Sequence, residues 1–531
     1  MGVKGLWPLI HPAASRLKLK DLNFEFGFIR NHHKSRTLNI GVNASLLLDT
    51  FHAANRGASQ HSLHLSDTTL TQLQYFLCQL SEAGINCVFF FDGPECSAIK
   101  RGRHVINREP DYHKHAKALI ECFGYYSHAA RGDAEAELAH LNNQGIIDAV
   151  LTKDSDVFSF GAQRVLVPEF QKSGDFIVDV YDVDSIQNDL QLSRAGIVLI
   201  ALLLQNDFDS GVLGIGPRTA LGLAQCGFGD RFLAVYNQFL AISSELSDSD
   251  IFQDLVNDIA HEIEFNTHLK LGSCSPTRAQ IFRDSNFPSS RSLTALKAFL
   301  MPAVNVSPAH NWPPRIPNVV RISAFCREHF NWPTQLALKK FHDDLWPAVI
   351  IWMLYSKFLA YNPRNSEILV PQLQGSLDFN NQGKPYVPTL STISQNQGSP
   401  KLNGKQPNDD ISVTFTMDFF IQLTGLAASS SSSRTTRRMN VPVALISVAQ
   451  RRTHAVKGLE GLLVSSTFND SSSYQFGSNG IRNNSSDAYS SPSLKRKQNS
   501  VRKETRLAHL KLNTGTKNLG VIELTDSDNE D

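Results

Sequence analysis

The sequence predicts an α/β fold, with a parallel, twisted sheet flanked by helices and a disordered C-terminal tail. Short apolar runs alternate with amphipathic stretches between residues 38 and 235, a pattern typical of a parallel sheet covered by helices. The three most apolar runs each end in a polar residue or an acidic turn. From about residue 465 the chain is rich in Ser and Asn and poor in apolar residues, so it buries too little surface to offset the entropy lost on ordering.

The bulk composition narrows the class of protein. The chain has 531 residues, 41% of them hydrophobic, which is enough for two or three domains with a sizeable core. A net charge of +1 excludes nucleic-acid binding through overall basicity, so such binding would need local patches. Seven scattered cysteines without a C-x-x-C pair argue against a disulfide framework or a zinc module and indicate reduced thiols inside the cell.

The three apolar runs, at residues 38–43, 87–92 and 146–151, are predicted to be buried strands. Open α/β sheets bind ligands at the carboxyl ends of their strands. Asn43 and Asp92 close the first two runs, and an acidic turn follows the third. The sequence therefore predicts a polar site along one edge of the sheet.

The second half of the chain is predicted to be mostly helical. Residues 236–300 and 318–362 have helical patterns, and a proline-rich connector lies between them. The apolar stretch 346–361 is broken by Pro347 and Lys357, so it is predicted to be a buried helix and not a membrane span. Apolar runs at 413–420 and 441–448 favour strands of a small β-containing module. The N-terminus lacks a signal core and a lipidation motif, and no membrane association is expected.

Six carboxylates fall at strand ends or in the turns and helix starts beside them: Asp92, Asp133, Glu135, Asp154, Asp156 and Asp207. Oxygen ligands of this kind hold Mg²⁺ or Mn²⁺, and two such ions about 4 Å apart can drive phosphodiester hydrolysis. Each acid also has a structural interpretation. Acids in the first turn of a helix interact with its dipole, and aspartates are common turn formers. Taken singly, the structural interpretation is favoured for every one of them.

Five motifs in one order change that balance: residues 1–7 (MGVKGLW), 91–94 with 99–103 (FDGP, IKRGR), 132–139 (GDAEAELA), 149–156 (AVLTKDSD) and 207–217 (DFDSGVLGIGP). Together they resemble the XPG/flap-endonuclease superfamily, which has a PIN-like nuclease core, and look most like its fungal Holliday-junction-resolvase-type branch. The resemblance covers residues 1–235 well and 236–360 loosely. It implies an N-terminal nuclease region at 1–110, an internal region with a helix-two-turn-helix element at 111–235 and a helical part at 236–362. The β-containing module at 380–460 and the tail at 465–531 follow.

The resemblance also implies roles for particular residues. The six carboxylates become ligands, directly or through water, of two Mg²⁺ or Mn²⁺ ions. A run of cations after Asp92 would steer DNA to them, and a solvated helix face is the alternative interpretation of that run. A glycine turn at the start of the helix-two-turn-helix element would hold the duplex backbone and a monovalent cation. The DNA-binding residues implied are Gly2, Lys100, Arg101, Arg103, Arg108, Gly214, Gly216 and Arg218.

The sequence departs from the family pattern at the predicted metal site. Asn43 stands where the family's first strand ends in aspartate, which keeps a carbonyl ligand but removes a negative charge. Asp133 replaces a glutamate, Lys153 adds a cation beside two presumed ligands, and Gln205 replaces a small residue. These departures indicate a diverged paralogue with weakened or lost activity.

The tail contains two short motifs. A basic cluster at residues 495–506 resembles a nuclear import signal, so a nuclear location is expected. Residues 521–528 resemble a SUMO-interacting motif, in which an apolar strand is followed by acids; an acidic solubilising tail is the alternative.

The function predicted from the resemblance is a metal-dependent, structure-selective endonuclease acting on branched DNA, either a 5′ flap or a Holliday junction, in repair or recombination. Two alternatives stay open. One is a catalytically impaired paralogue that binds DNA junctions, and the other is an RNA-directed nuclease of the broader PIN-like group. Whether the protein dimerises on a junction also stays open.

Overall fold

A computed structural model gives the fold of the chain. It describes residues 2–30, 37–56, 65–96, 99–100, 103–104, 110–170, 175–241, 248–305, 312–355, 360–362, 367–369, 390–393, 410–416 and 436–443, and the single residues 421, 424, 426 and 445. The nuclear import and SUMO motifs of the tail lie outside these residues.

The secondary structure alternates strands and helices up to residue 190 and is mainly helical from there to 355. The helices are α1 (Leu6–Ile10), α2 (Leu19–Leu22), α3 (Ala44–Arg56), α4 (Leu65–Glu82), α5 (Asp111–Cys122), α6 (Ala134–Asn143), α7 (Asp156–Phe160), α8 (Val183–Leu190), α9 (Arg194–Leu203), α10 (Pro217–Gln225), α11 (Phe228–Ala241), α12 (Asp248–Phe265), α13 (Pro276–Arg283), α14 (Ser290–Leu300), α15 (Val319–Phe330), α16 (Thr334–Lys340) and α17 (Trp346–Tyr355). The strands are β1 (Ser15–Lys18), β2 (Asn39–Asn43), β3 (Asn86–Phe91), β4 (Ile99–Lys100), β5 (Arg103–His104), β6 (Tyr126–Ala129), β7 (Ala149–Leu151), β8 (Arg164–Glu169), β9 (Ile177–Asp182), β10 (Ala360–Asn362), β11 (Glu367–Leu369), β12 (Leu390–Ile393), β13 (Asp410–Thr416) and β14 (Thr436–Pro442).

The central sheet has seven strands in the order β1-β9-β8-β7-β2-β3-β6. Strands β8, β7, β2, β3 and β6 pair in parallel, which confirms the predicted α/β class. Strand β9 departs from the prediction because it pairs antiparallel to β8, and β1 pairs antiparallel to β9. The short connection from β8 to β9 explains this, since a parallel crossover needs a dozen or more residues.

The sheet is covered on both faces, as continuous apolar strands require. Along β3, Phe89 and Phe91 face one hydrophobic cluster, and Val88 and Phe90 face the other. The first cluster includes residues of α3, α4, α5, α15 and α17, and the second includes residues of α6, α7, α9, α10, α12 and α14. The result is a three-layered arrangement with the sheet in the middle.

Glycine at position 41 allows α6 to approach the sheet closely. A Cβ atom there would lie 2.3 Å from Leu138 Cδ2, a side chain of α6. A larger residue would force the Leu138 and Ile147 side chains to move. The close packing brings the N-terminus of α6 next to the end of β2, where the predicted site residues lie.

The third predicted strand is shorter than expected. Only Ala149–Leu151 forms β7, while the residues just before it form a turn. The turn is fixed because the Asp148 carboxylate accepts a hydrogen bond from the Asn39 N–H at 2.7 Å. The strand prediction was wrong for residues 146–148 because their apolar pattern does not reveal this long-range bond.

The C-terminal elements modify two further predictions. Helix α17 is buried, as predicted, but residues 360–362 form strand β10 and not the end of a helix. Strands β12, β13 and β14 form a sheet, and Val413 and Val441 belong to the same hydrophobic cluster as Ile351 of α17. This sheet therefore shares the main core. Among the described residues, no helix is long and apolar enough to cross a membrane.

Candidate metal centre

Strands β7, β2 and β3 are neighbours, so the residues that follow them meet at one edge of the sheet. In the β2–β3 register Asn43 lies opposite Phe90, and in the β2–β7 register Val42 lies opposite Leu151. The loops after Asn43, Phe91 and Leu151 therefore start at nearly the same level. This edge carries most of the predicted site residues.

Asp92 and Asp133 form the first carboxylate pair. Asp133 directly precedes α6, and Asp92 Oδ1 accepts a hydrogen bond from the Ala134 N–H at 2.9 Å. The thiol of Cys96 donates to Asp133 Oδ1 at 2.8 Å. Ligand atoms of Asp92, Cys96 and Asp133 all lie within 4.8 Å of one another. Cys96 was missed from the sequence, where it appeared only as one of seven scattered cysteines.

Asn43 and Glu135 form the second pair. The Asn43 side chain is almost fully buried, and its Nδ2 donates to Glu135 Oε1 at 2.5 Å. Its Oδ1 accepts from the Leu46 N–H at 3.0 Å, which caps the start of α3. The partners fix the orientation of the amide, because an N–H can face only an oxygen acceptor and a carboxylate can face only a donor. Asn43 thus serves as a hydrogen-bond donor to Glu135, and its carbonyl oxygen is already used by the cap.

Asp154 and Asp156 lie in the turn after β7 and are both buried. The turn is held by Thr152 Oγ1, which accepts from the Asp154 N–H at 3.0 Å, and by Asp154 Oδ1, which accepts from the Asp156 N–H at 3.1 Å. Gly2 packs directly against it with φ of +84°. A Cβ at Gly2 would lie 2.2 Å from Asp154 Oδ1 and 2.7 Å from the Asp156 nitrogen.

Asp207 lies on a separate loop, between α9 and α10, and is partly exposed. The N-terminal segment links this loop to the Asp154 turn, because the Lys4 N–H donates to the Gln205 carbonyl at 2.8 Å. Asn206 organises the loop by accepting from the N–H groups of Phe208 and Asp209 at 2.7 and 2.8 Å. Gln205 therefore contributes its backbone, and its side chain is exposed.

Glu137, a further acid on α6, has a structural role. Glu137 is completely buried and accepts from His128 Nε2 at 2.5 Å, the Arg131 N–H at 2.9 Å and Asn305 Nδ2 at 2.9 Å. Burial by itself would raise the pKa of Glu137, but these hydrogen bonds outweigh it and lower the pKa to about 2. Glu137 thus fixes the loop that leads to Asp133.

Replacing Glu137 with Gln should destabilise the fold. A carboxyl whose pKa falls from 4.5 to about 2 on folding contributes on the order of 3 kcal/mol. This contribution is fully present above pH 4.5 and is lost as the pH falls towards 2. Urea unfolding at pH 7 should show the loss, and the gap between variant and wild type should narrow below pH 4.5. Glu95→Gln is the matched control, since Glu95 forms an exposed pair with Arg131 and its loss should cost ~0.5 kcal/mol or less.

Two of the predicted DNA-binding cations, Lys100 and Arg103, lie on paired strands and not on a helix. Lys100 of β4 pairs with Arg103 of β5 in an antiparallel register, which corrects the helix-face interpretation. Arg101 and Arg108 lie outside the described residues. Arg218 is exposed in the first turn of α10, a helix that begins directly after Gly216. Gly214 has φ of +80°, so the turn before α10 requires glycine there.

Lys153 and Asp49, two charged residues near the site, contact groups outside the carboxylate set. The Lys153 ammonium lies 4.2 Å from the centre of the Phe170 ring, and burial lowers its pKa. Asp49 is exposed on α3 and accepts a hydrogen bond from the Tyr112 hydroxyl at 2.8 Å.

The donor set fits a hard divalent cation. Asp92, Asp133, Glu135, Asp154 and Asp156 supply carboxylate oxygens in the turns and helix starts that follow β3, β6 and β7, which is the chemistry that Mg²⁺ and Mn²⁺ prefer. Gly2 fits closely over the Asp154 turn, where any side chain would push the carboxylate aside. Cys96 adds a softer ligand atom beside this set.

Comparison with known sequences agrees with the motifs. The XPG I-region family matches residues 124–207. The chain is 28% identical over 259 residues to the mouse flap endonuclease GEN homolog 1, and 30% identical over 239 residues to flap endonuclease GEN-like 1 of Arabidopsis thaliana. These matches cover 45% and 42% of this chain, and the chain spans 27% and 39% of the two relatives.

Comparison with solved structures agrees with the fold. A eukaryotic junction-resolving enzyme GEN-1 binding potassium matches with a TM-score of 0.58 and 21% identity, over 87% of this chain and 99% of that one. The Holliday junction-resolving enzyme GEN1 in complex with product DNA and a Mg²⁺ ion matches with a TM-score of 0.56 and 21% identity, over 86% and 99%. At these identities the likeness establishes a shared fold.

Proposed function

Since this chain belongs to the XPG/flap-endonuclease superfamily, we propose that it is a metal-dependent, structure-selective endonuclease that cuts branched DNA in repair or recombination. The observation that carries the proposal is the set of carboxylates that follow the parallel strands β7, β3 and β6, at the end of the sheet where Asn43 closes β2. Relatives named as flap endonucleases support the activity, and a relative solved with product DNA supports a 5′ flap or Holliday junction as the substrate.

Two Mg²⁺ or Mn²⁺ ions are the proposed cofactors, and relatives have been solved with these ions. Asp92, Asp133, Glu135, Asp154 and Asp156 would hold them, with Asp207 contributing from its own loop. Once bound, such ions supply an activated water and neutralise charge on the phosphate. The chain's own contribution is to fix these side chains through backbone N–H groups and the Gly2 contact, so that little reorganisation is needed when DNA arrives.

The proposed DNA contacts are the basic residues in and beside β4 and β5, together with the start of α10. Cations at 100, 101, 103 and 108 would steer the phosphate backbone, and the exposed N-terminus of α10 at Gly216 would favour an anion. Gly214 lets the backbone of this turn approach closely, and Arg218 lies one residue into the helix. A monovalent cation at this turn is proposed from the relatives solved with potassium, sodium and caesium. Such contacts read DNA shape and not base sequence.

One observation favours a second candidate function, a catalytically impaired protein that binds DNA junctions. Asn43 leaves the set of metal-binding side chains with one negative charge fewer than an aspartate at this position would give. Its amide also donates a hydrogen bond to Glu135, so one oxygen of that carboxylate is already occupied. A nuclear location, binding to SUMO through residues 521–528 and a dimer on the junction remain proposals from the sequence. An RNA-directed nuclease is the third candidate function.

Cleavage assays separate these functions. The purified protein should cut a 5′ flap or a four-way junction in Mg²⁺ or Mn²⁺ faster than a linear duplex, and chelation of the metal should stop it. Asp92→Asn should abolish cleavage without weakening binding, because it removes charge from the cage and leaves the DNA contacts intact. Junction binding without any metal-dependent cutting would favour the second function. Preferential cutting of single-stranded RNA would favour the third.

A further inference from the structure

A second group of metal-binding side chains lies at the far end of α10. Cys226 directly follows α10, Glu262 lies in the last turn of α12, and His268 is in the turn after α12. Cys226 Sγ is 4.0 Å from Glu262 Oε1, and His268 Nδ1 is 2.7 Å from Glu262 Oε2. All three ligand atoms lie within 4.8 Å of one another. None of these residues belongs to the candidate metal centre.

The carboxylate of Glu262 is buried and is held by hydrogen bonds rather than by a lysine or arginine. Glu262 is 1% exposed, and in the part of the chain that the structure describes no lysine or arginine pairs with it. Its oxygens accept hydrogen bonds from the Thr267 hydroxyl, the His268 N–H and the His268 ring. A buried carboxylate of this kind is stabilised further by a cation.

A tetrahedral ion would fit between these atoms after a small movement of the side chains. Zinc binds sulfur at about 2.3 Å and nitrogen or oxygen at about 2.0–2.2 Å, so two of its ligand atoms lie roughly 3.3–3.7 Å apart. The observed 4.0 Å is slightly longer than this range and the observed 2.7 Å is shorter, so the ion would replace the hydrogen bond between His268 and Glu262, and the 56% exposed His268 side chain would move to receive it. A set of thiol, imidazole and carboxylate selects a borderline transition metal over Mg²⁺.

We propose that Cys226, Glu262 and His268 form a site for Zn²⁺ or a similar transition-metal ion, with water as the fourth ligand. Binding replaces the thiol proton of Cys226 with the metal and releases that proton to solvent. The ion connects the end of α10 to α12 and its following turn. Because α10 begins at the Gly214–Gly216 turn, a bound ion stiffens the element proposed to contact DNA. The site itself does not depend on the proposed nuclease function.

Cobalt binding tests this site, because a thiolate bound to Co²⁺ gives a charge-transfer band. The reduced full-length protein, stripped with a chelator and kept in millimolar Mg²⁺, should bind one equivalent of Co²⁺ with this band, and Zn²⁺ should displace it. Cys226→Ser should remove the band. His268→Ala should weaken affinity at least ~10-fold, which is the lower end of the cost of losing even an outer-sphere partner. Zn²⁺ should also raise the melting temperature of the wild type but not of His268→Ala.

Matched controls use the same residue types nearby. Cys274→Ser and His261→Ala, both at exposed positions, should leave cobalt binding unchanged. Cys96→Ser should also leave it unchanged, which separates this site from the Asp92–Asp133 pair. A band that survives in Cys226→Ser, or one lost only in Cys96→Ser, would overturn the proposal. The absence of any thiolate band in the wild type would also overturn the proposal, and Glu262 would then serve only to hold the turn through its hydrogen bonds. If Cys226→Ser does not fold, His268→Ala decides, because its side chain is exposed.

Discussion

Asn43→Asp is expected to destabilise the metal-free protein and to make its stability depend on Mg²⁺. The hydrogen bond from Asn43 Nδ2 to Glu135 would be replaced by two carboxylate oxygens at a similar distance. A hydrogen bond to a charged group is worth about 1.5–3 kcal/mol, and like charges about 4 Å apart repel by roughly 4 kcal/mol at an effective dielectric constant of 20. Aspartate caps a helix as well as asparagine, so the cap on α3 is kept.

Thermal melting with and without Mg²⁺ measures this effect. The melting temperature of Asn43→Asp should lie below that of wild type in chelator and recover as Mg²⁺ is added, since the cation offsets the repulsion. Asn43→Ala is the control, because it removes the hydrogen bond and adds no charge. It should be destabilised with no greater response to Mg²⁺ than wild type. Equal Mg²⁺ responses for Asn43→Asp and Asn43→Ala would show that Glu135 does not share a cation with position 43.

Gly2→Ala is expected to reduce cleavage about 100-fold while leaving the fold intact, since a displacement of about 1 Å can cost that much. The added Cβ would overlap Asp154 Oδ1 and the backbone nitrogen of Asp156, and that nitrogen cannot move without distorting the turn. The φ of +84° adds a cost of about 1–2 kcal/mol for any residue with a side chain. The N-terminal segment is anchored, because Val3 and Leu6 are buried in the core, so the clash is relieved by displacing Asp154.

Single-turnover cleavage of a flap substrate, together with circular dichroism, checks this expectation. Gly272→Ala is the matched control, because no atom lies within 4 Å of a Cβ there and its φ is not positive. Gly272→Ala should behave as wild type. Full activity in Gly2→Ala would mean that the Asp154 turn does not form part of the cleavage site.

The layered fold could be predicted because its signals are local. Strands such as β3 are buried on both faces and therefore apolar without interruption, and the residues at their ends are polar because they leave the core. The order of β7, β2 and β3 then brings distant acids together. The prediction of a parallel sheet is wrong for strand β9, because its direction depends on the length of the connection between β8 and β9.

The detailed contacts of the site could not be predicted, because they join residues far apart in sequence. The donation from Asn43 to Glu135 spans 92 positions, and that from Cys96 to Asp133 spans 37. That Asn43 is a hydrogen-bond donor to Glu135 could not be inferred from the change of aspartate to asparagine alone. The cluster around Glu262 was missed for the same reason, since its cysteine and histidine lie in no short motif. Apolar runs predict the strands of the small β-containing module, but its contacts with α17 do not follow from composition.

In the proposed mechanism the carboxylates of the candidate metal centre bind divalent metal for DNA cleavage, and Asn43 weakens this binding. Its most direct test is single-turnover cleavage of a flap and a four-way junction across a Mg²⁺ titration, with wild type, Asn43→Asp and Asn43→Asp combined with Asp154→Ala. Asn43→Asp should need less Mg²⁺ and cut at least ~10-fold faster at limiting metal, since even outer-sphere losses cost about that much. The double variant should lose all of the gain. An Asn43→Asp protein that binds junction DNA but never cuts it, at any Mg²⁺ concentration, would contradict the claim and favour the non-catalytic junction binder.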